Sequence, residues 1–352
     1  MANHVQIVGA TGYGGLGILE LLMAHPDFEV TSLIARDEAG NRIDDVYPHL
    51  HGRTELTVDS AETTPIGTNA DVVVFSTPDG VSQGYAAGLA DTGTRFIDYS
   101  GDFRFASTVD YAEYASRHPS IVDGSHQAEA LLGSAAYGVS ELNPEGIAAA
   151  PIVGNPGCFA VGITLGLAPL FHDDLVADEG IVSVDGLTGS SGAGKKPAPL
   201  QHLSHLNDNV IPYRILSHQH AVEATLTLSR IGHSKGAQVD FIPHLLGTTR
   251  GILNTMHLRL NQTISRDAIL DRYREYFADA PFVRILDSPP TLKGTLGSNY
   301  CDISVFVQGN RAVVISSIDN LMKGQSGSAM QNLNLMFGRP QTAGLDRTPL
   351  YP

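Results

Sequence analysis

The amino-acid sequence predicts an α/β protein, with a doubly wound parallel sheet at the amino end, an α+β region after it, and a final helix that returns to the first part. Three observations lead to this. Val5-Gln6-Ile7-Val8 is a strand-like run that gives way to a glycine turn and then to Leu16, Leu19, Leu22 and Met23 at helical spacing. Val72-Val73-Val74-Phe75 is apolar at every position, as a parallel strand buried on both faces must be. Residues 239–245 and 251–260 instead alternate, the pattern of strands with one solvated face.

Taken in order, the opening strand leads into Gly9-Ala10-Thr11-Gly12-Tyr13-Gly14-Gly15 and a helix. This is the Rossmann-like order that holds a dinucleotide's pyrophosphate against a helix N-terminus. Gly9 permits the tight turn, Gly12 lets the backbone approach phosphate, and Gly15 lets the helix lie on the strand. The spacing is G-x-x-G-x-x-G, with Thr11 where the second glycine of G-x-G-x-x-G falls, so a plain tight turn is the alternative reading. The second strand, 28–35, ends at Arg36 with no acidic residue to chelate a ribose diol. An arginine there can pair with a 2′-phosphate, which favours NADP(H) over NAD, unless it is simply a solvated surface residue. The strand 72–75 ends in Ser76-Thr77-Pro78-Asp79-Gly80, at the carboxyl end of the sheet where ligands lie. The strand 95–99 delivers Ser100-Gly101-Asp102-Phe103-Arg104, and Arg104 reads either as an anion clamp or as an exposed ion pair.

A strand over 151–153 precedes Asn155-Pro156-Gly157-Cys158-Phe159, and residues 159–170 are apolar nearly all round, as in a buried helix. This makes Asn155 the candidate N-cap and puts Cys158 in the first turn, where unbonded N–H groups and the positive dipole end favour thiolate. A thiol of ordinary pKa, about 8.5, is only a few per cent ionised at neutral pH, and reaching half ionisation takes roughly 2 kcal/mol. The alternative is that Cys158 is one more small apolar core residue.

Past a strand at 181–184, Thr188-Gly189-Ser190-Ser191-Gly192-Ala193-Gly194-Lys195-Lys196-Pro197 is either an oxyanion or phosphate nest or a flexible loop. It is not a P-loop, because Lys196 and Pro197 stand where Ser or Thr must follow the lysine. In His218-Gln219-His220-Ala221-Val222-Glu223, a helix over 221–229 puts Glu223 in the first turn, beside two imidazoles suited to proton transfer. A metal site is disfavoured, since no further ligands with zinc spacing accompany H-x-H-x-x-E. The helix 265–277 carries Ile269, Tyr273 and Phe277 on one face as core. Cys301 falls in a strand, 300–307, paired with 311–317 through Gly309-Asn310, and reads as an inert buried thiol. Asp319-Asn320-Leu321-Met322-Lys323-Gly324 then opens the last helix, with Met330, Leu333 and Phe337, and offers a second cofactor contact.

Composition narrows the class. The 352 residues suffice for two domains, and 42% hydrophobic residues with 37 glycines fit a compact α/β chain rather than disorder. A formal net charge of −15 argues against general binding to nucleic acid or to anionic membranes, while a few arginines in a cleft can still hold an anionic small molecule. Two cysteines make no disulfide framework, no apolar run approaches the roughly 20 residues of a membrane span, and the amino end has no basic-then-apolar leader. The expectation is a cytoplasmic protein.

Five stretches in this order, Gly9-Ala10-Thr11-Gly12-Tyr13, Gly101-Asp102-Phe103-Arg104, Asn155-Pro156-Gly157-Cys158, Ser191-Gly192-Ala193-Gly194 and His218-x-His220-x-x-Glu223, resemble the semialdehyde dehydrogenase family, and within it the N-acetyl-γ-glutamyl-phosphate reductases. Phe241-x-Pro243-His244, Arg250-Gly251-Ile252 and Asp319-Asn320-Leu321-x-Lys323-Gly324 also fit. The resemblance implies NADPH-dependent reduction of an acyl phosphate in arginine biosynthesis, with Cys158 as nucleophile, His220 as acid and base, and His218 and Glu223 in support. Arg104, Asn155, Ser190, Ser191 and Gly192 are the candidate substrate contacts. Gly9, Thr11, Gly12, Tyr13, Gly14, Gly15, Arg36, Thr77, Pro78, Gly192, Asn320, Lys323 and Gly324 are the candidate NADP contacts, and no metal is expected. The implied division is an NADP-binding domain over 1–156, a catalytic and dimerisation domain over 157–318, and a returning helix and tail over 319–352, in a homodimer or homotetramer.

The chain departs from the family at Thr77-Pro78-Asp79-Gly80 (commonly Leu-Pro-His-Gly), at Phe159 (commonly Tyr) and at Gln219 (commonly Arg). Rival readings are a lysine-pathway reductase of carrier-bound acyl phosphates, an aspartate-semialdehyde dehydrogenase, and a catalytically idle NADP-binding regulator.

Overall fold

A computed structural model describes residues 2–177, 180–232 and 236–351. It resolves into two units: Met1–Ala112, Ser120–Pro156 and Gln325–Asp346 form the first, and Glu113–Pro119, Gly157–Gly324 and Arg347–Pro352 the second. The chain therefore passes between them at Ala112–Glu113 and Pro119–Ser120, at Pro156–Gly157 and Gly324–Gln325, and again at Asp346–Arg347.

In the first unit, β1 (Asn3–Val8), β2 (Phe28–Ile34), β3 (Val58–Asp59), β4 (Val72–Phe75), β5 (Arg95–Asp98), β6 (Ala135–Tyr137) and β7 (Ile152–Gly154) make a parallel sheet in the order β3-β2-β1-β4-β5-β7-β6. This is the doubly wound sheet expected. Val5 and Ile7 of β1 are fully buried, and so is all of β4, as its unbroken apolar pattern requires. The winding reverses between β1 and β4, so the turns that follow these two strands lie side by side at the topological switch point. The helix Gly327–Met336 lies against the helix Tyr13–Leu22, with Ser326 Oγ donating to the Gly14 carbonyl at 3.1 Å.

In the second unit, β8 (Ile181–Thr188), β9 (Val210–Pro212), β10 (Gln238–Leu246), β11 (Ile252–Arg259), β12 (Val283–Ile285), β13 (Cys301–Gln308) and β14 (Arg311–Ile318) form a mixed sheet in the order β12-β13-β14-β11-β8-β10-β9. The pairs β8/β10 and β12/β13 are parallel and the others antiparallel. One face carries the helix Cys158–His172, whose thirteen residues from Phe159 to Phe171 are all buried. Each fully buried Leu, Ile or Phe there contributes about 1.5–3 kcal/mol. The helix can lie this close because two of its residues are glycines: a Cβ at Gly162 would come 2.6 Å from Asn254 Nδ2, and one at Gly166 2.5 Å from Met256 Cε, both on β11. The opposite face of the sheet leaves Ile181, Ser183, His257, Arg259 and Arg311 exposed around a cavity of about 660 Å³.

Candidate active site

In the first unit the glycine turn has the geometry its sequence calls for. Gly9 has a φ of +83°, and a Cβ there would stand 2.2 Å from the Ser76 carbonyl oxygen at the end of β4. At Gly15 a Cβ would meet the Gly9 carbonyl oxygen at 2.3 Å, so helix and turn touch backbone to backbone. Gly12 is the N-cap of the helix Tyr13–Leu22, and the nearest atom to a Cβ there would be 3.5 Å away, which leaves its surface to a ligand. The first-turn N–H groups, those of Tyr13, Gly14 and Gly15, have no acceptor within the helix and suit a phosphate. Thr11 accepts through its carbonyl from Tyr47 Oη at 2.7 Å. Arg36 is exposed two positions past β2, and Thr77 and Pro78 follow β4 after Ser76.

The loops after β4 and β5 are braced to each other. Asp79 Oδ1 accepts from the Gly101 N–H at 2.9 Å, and Asp102 Oδ2 from the Gly80 N–H at 2.7 Å. Asp102 also takes Ser82 Oγ, Gln83 Nε2 and Tyr111 Oη. Burial raises the pKa of both Asp98 and Asp102 above the ordinary carboxylate value. Arg104 is not the exposed ion pair that one reading proposed. It is buried, with Nε donating to the Asn155 carbonyl at 2.7 Å and Nη2 to the Tyr99 carbonyl at 2.6 Å. One donor therefore holds the main chain that leads to the cysteine, and the other holds the end of β5.

In the second unit Cys158 is half-buried and occupies the first helical position. The N-cap is Gly157, with no side-chain cap bond, and not Asn155 as the sequence suggested. Asn155 donates instead to the Gln325 carbonyl at 3.0 Å and accepts from Asn332 at 3.2 Å. With no polar cap side chain, the Cys158, Phe159 and Ala160 N–H groups lack acceptors in the helix, and its first bond runs from Val161 to Gly157.

Two histidines and a glutamate converge on Gly157. Its N–H donates to Glu223 Oε1 at 2.7 Å, and a Cβ there would lie 2.4 Å from His220 Nε2 and 2.9 Å from Glu223 Oε2. On the other side, a Cβ at Gly324 would lie 2.9 Å from Cys158 Cβ. The helix Gln219–Ile231 begins two residues before the expected 221, so Glu223 sits in its second turn. It starts early because His218 is the N-cap: its Nδ1 accepts the His220 N–H at 3.2 Å, which places the ring proton on Nε2. Burial, then the nearby Arg214 and His118, depress the His218 pKa to about 3, so this ring is neutral at neutral pH. Phe159 lies edge-on to both imidazoles, with centroids at 5.8 and 6.2 Å.

The loop Ser190–Ala193 is not an oxyanion nest. Its Ser190, Ser191 and Gly192 N–H groups already donate to the carbonyls of Thr248, Thr249 and Gly189. Ser191 Oγ accepts from Asn320 Nδ2 at 3.0 Å, while Asn320 Oδ1 accepts from the Gly251 N–H at 2.7 Å. Asn320 thereby ties this loop to the start of β11. Lys323 is 1% exposed, with Nζ 6.0 Å from the Phe282 ring centroid. Sequence reasoning missed Tyr213. Its pKa is raised first by burial and next by the charge of Cys158, which places this phenol in the field of the thiol. Among the described residues no group of three or more His, Cys, Asp and Glu side chains could hold a metal ion.

Residues 4–150 match the profile described as "Semialdehyde dehydrogenase, NAD binding domain", and residues 158–320 that described as "Semialdehyde dehydrogenase, dimerisation domain". The chain belongs to the semialdehyde dehydrogenase family. It is 37% identical to an N-acetyl-gamma-glutamyl-phosphate reductase of Oceanobacillus iheyensis, over 99% of this chain and 100% of the relative. It is 39% identical to the Bacillus subtilis protein of the same name, over 99% of each. Among solved structures, aspartate semialdehyde dehydrogenase II of Vibrio cholerae, complexed with ASA, superposes with a TM-score of 0.72 at 17% identity, covering 96% of this chain and 99% of that one. The Candida albicans enzyme with NADP does so with a TM-score of 0.69 at 16% identity, covering 96% and 99%. These two establish the fold. No helix among the described residues is long and apolar enough to cross a membrane.

Proposed function

We propose that this member of the family reduces N-acetyl-γ-glutamyl phosphate to N-acetylglutamate 5-semialdehyde and phosphate, with NADPH, as a cytoplasmic enzyme of arginine biosynthesis. The observation that carries the reading is the match over 99% of the chain to relatives named for that reaction, in a chain whose single half-buried thiol opens a helix beside His220 and Glu223.

The chemistry follows from those residues. Cys158 gives its proton to His220, and the thiolate attacks the acyl carbon. The carbon–oxygen bond to phosphate breaks, and the departing phosphate takes the proton from His220. The first-turn N–H groups at 158–160 are the donors that this chain offers to the carbonyl oxygen, each worth about 3 kcal/mol where such donors have been removed elsewhere. The Gly9–Gly15 turn and Arg36 are the residues that would hold NADPH, which when bound would supply the hydride that reduces the thioester carbon. The resulting oxyanion re-forms the carbonyl by expelling the Cys158 sulfur as thiolate, and the aldehyde is released. Glu223 fixes Gly157 and His220, and the neutral His218 holds the start of the His220 helix. Arg104 and Asn155, with the hydroxyls of Ser190 and Ser191 and the surface of Gly192, are the residues we assign to the substrate. Thr77, Pro78, Asn320, Lys323 and Gly324 complete our assignment for the cofactor.

We further place a homodimer contact on the open face of the mixed sheet, around Ile181, His257 and Arg311. The reverse assay tests the reading: N-acetylglutamate semialdehyde, NADP and phosphate should give NADPH at a rate that needs all three. Turnover of aspartate semialdehyde in its place, or none with either aldehyde, would overturn it.

A further inference from the structure

The turn that brings Gly324 to Cys158 is anchored by one buried carboxylate. Asp319, the residue after β14, is 0% exposed. Its Oδ1 accepts the Leu321 and Met322 N–H groups at 2.8 and 3.1 Å, and its Oδ2 accepts the Gly297 N–H at 2.7 Å. The Arg250 guanidinium completes the set, with Nε 3.0 Å from Oδ2 and Nη2 donating to Oδ1 at 3.1 Å. Main-chain donors and a guanidinium fork thus fix the plane of the carboxylate from several sides.

The turn built on this anchor ends at the thiol. It closes through the Gly324 N–H, which donates to the Asp319 carbonyl at 2.9 Å, five residues back. That spacing is the one of a π-bulge, a geometry frequent at functional sites. Asn320 holds the Gly251 N–H and Ser191, so Asp319 and Asn320 grip the consecutive residues Arg250 and Gly251 ahead of β11. At the far end a Cβ on Gly324 would stand 2.9 Å from Cys158 Cβ, 3.4 Å from Cys158 Cα and 3.3 Å from the Asp319 carbonyl oxygen. The Gly324 main chain is therefore a wall beside the cysteine side chain, and the root of that wall is Asp319. A buried ion pair adds little net stability, because lost hydration offsets the attraction, whereas it does hold one geometry in preference to others.

We propose that Asp319, clamped by Arg250, is a positioning residue: it sets the Gly324 main chain against Cys158 and so fixes where the sulfur points. The use of that sulfur as a nucleophile rests on the function proposed above, but the mechanical link from Asp319 to the cysteine does not.

The test therefore begins with probes that need no substrate. Alkylation of Cys158 is followed by peptide mass spectrometry with iodoacetamide, which is small, and with N-ethylmaleimide, which is bulky. Cys301 is 0% exposed and does not compete. Arg250→Gln is the milder variant, since that side chain is 32% exposed, and Asp319→Asn the stronger. In both, a released turn should admit the bulky reagent and raise the ratio of its rate constant to that of iodoacetamide about threefold or more, with Arg250→Lys in between. Gly324→Ala should lower the ratio, because the added methyl crowds the thiol. The double variant Arg250→Gln/Gly324→Ala decides between positioning and a general loosening. If the turn can back away, the methyl finds room, and the fold-change caused by Gly324→Ala should shrink by about half or more. Fold-changes that simply multiply would overturn the proposal, as would an unchanged ratio in Arg250→Gln with a melting curve like the wild type. In the reverse assay Arg250→Gln should lower kcat about tenfold with the KM values moving less, and Arg250→Lys should recover part of it. A wild type and variants that show the coupling in alkylation yet no turnover would leave the link standing and count against the function instead.

Discussion

Glu223 Oε1 accepts the main-chain N–H of Gly157 at 2.7 Å, and this one bond ties the helix that carries His220 to the residue before Cys158. Gly157 has a φ of −69°, so its backbone would accept any side chain, and the need for glycine is one of space. Gly157→Ala should fold, since the displaced neighbour is an imidazole edge and not backbone, yet it should push His220 off Cys158. We expect kcat to fall by about 100-fold, the loss that a misplacement near 1 Å produces, with a melting temperature within a few degrees of the wild type. Steady-state kinetics beside a thermal melt decide it, and unchanged kcat would show that the contact has no bearing on the reaction.

Charge and hydrogen bond at Glu223 can be separated. Glu223→Gln keeps an acceptor for the Gly157 N–H but removes the carboxylate from beside His220, whereas Glu223→Ala also strands a buried donor. The first should lower kcat by roughly tenfold with little change in stability. The second should add about 1–3 kcal/mol of destabilisation, read as a shift in the denaturant midpoint. Equal stability losses in the two variants would mean that the bond to Gly157 is not what Glu223 supplies.

Cys158→Ser isolates the role proposed for the thiol. Serine fits the first helical position and leaves the glycine turn of the other unit untouched, so NADPH affinity by fluorescence titration should be retained. Reduction should fall by at least about 10³-fold, because a hydroxyl lacks the accessible anion of a thiol. Near-normal turnover in this variant would exclude covalent catalysis.

The fold and much of the site are legible in the sequence wherever the signal is local. A glycine turn between a strand and a helix, the wholly apolar β4, and the cysteine at the opening of an apolar helix each declare themselves within a dozen residues. Strands β3, β6, β9 and β12 escape a reading by pattern because two or three residues are too short to show a period. Asn155 mimics a cap because a polar residue ahead of a helix looks the same whether it bonds forward or, as in this protein, to Gln325 and Asn332 far along the chain. The Ser190–Gly194 loop has the composition of a nest, but composition cannot reveal that its N–H groups are already taken by Thr248 and Thr249. Tyr213 and Arg214 belong to no motif at all, and only the return of β9 along the edge of β10 brings them to the histidines.

The two histidines should part company with pH. His218 has a folded-state pKa near 3, below the ordinary value of 6.5, because burial and Arg214 penalise its charged form. Above pH 6.5 neither the folded nor the unfolded chain protonates it, and its full contribution to stability is present. As pH falls from there toward about 3, the unfolded chain gains a proton that the folded chain refuses, and stability is lost. His25 and His126 are lowered by burial as well and act in the same direction, so the wild-type profile alone does not isolate one ring. His218→Asn does, because asparagine is a good N-cap that can still accept the His220 N–H but does not titrate. Urea melts between pH 7 and pH 4 should show a smaller loss of stability in the variant than in the wild type. Turnover should survive in His218→Asn with its acid limb in place, whereas His220→Asn should abolish it. An acid limb that vanishes with His218 would reverse the roles of the two imidazoles.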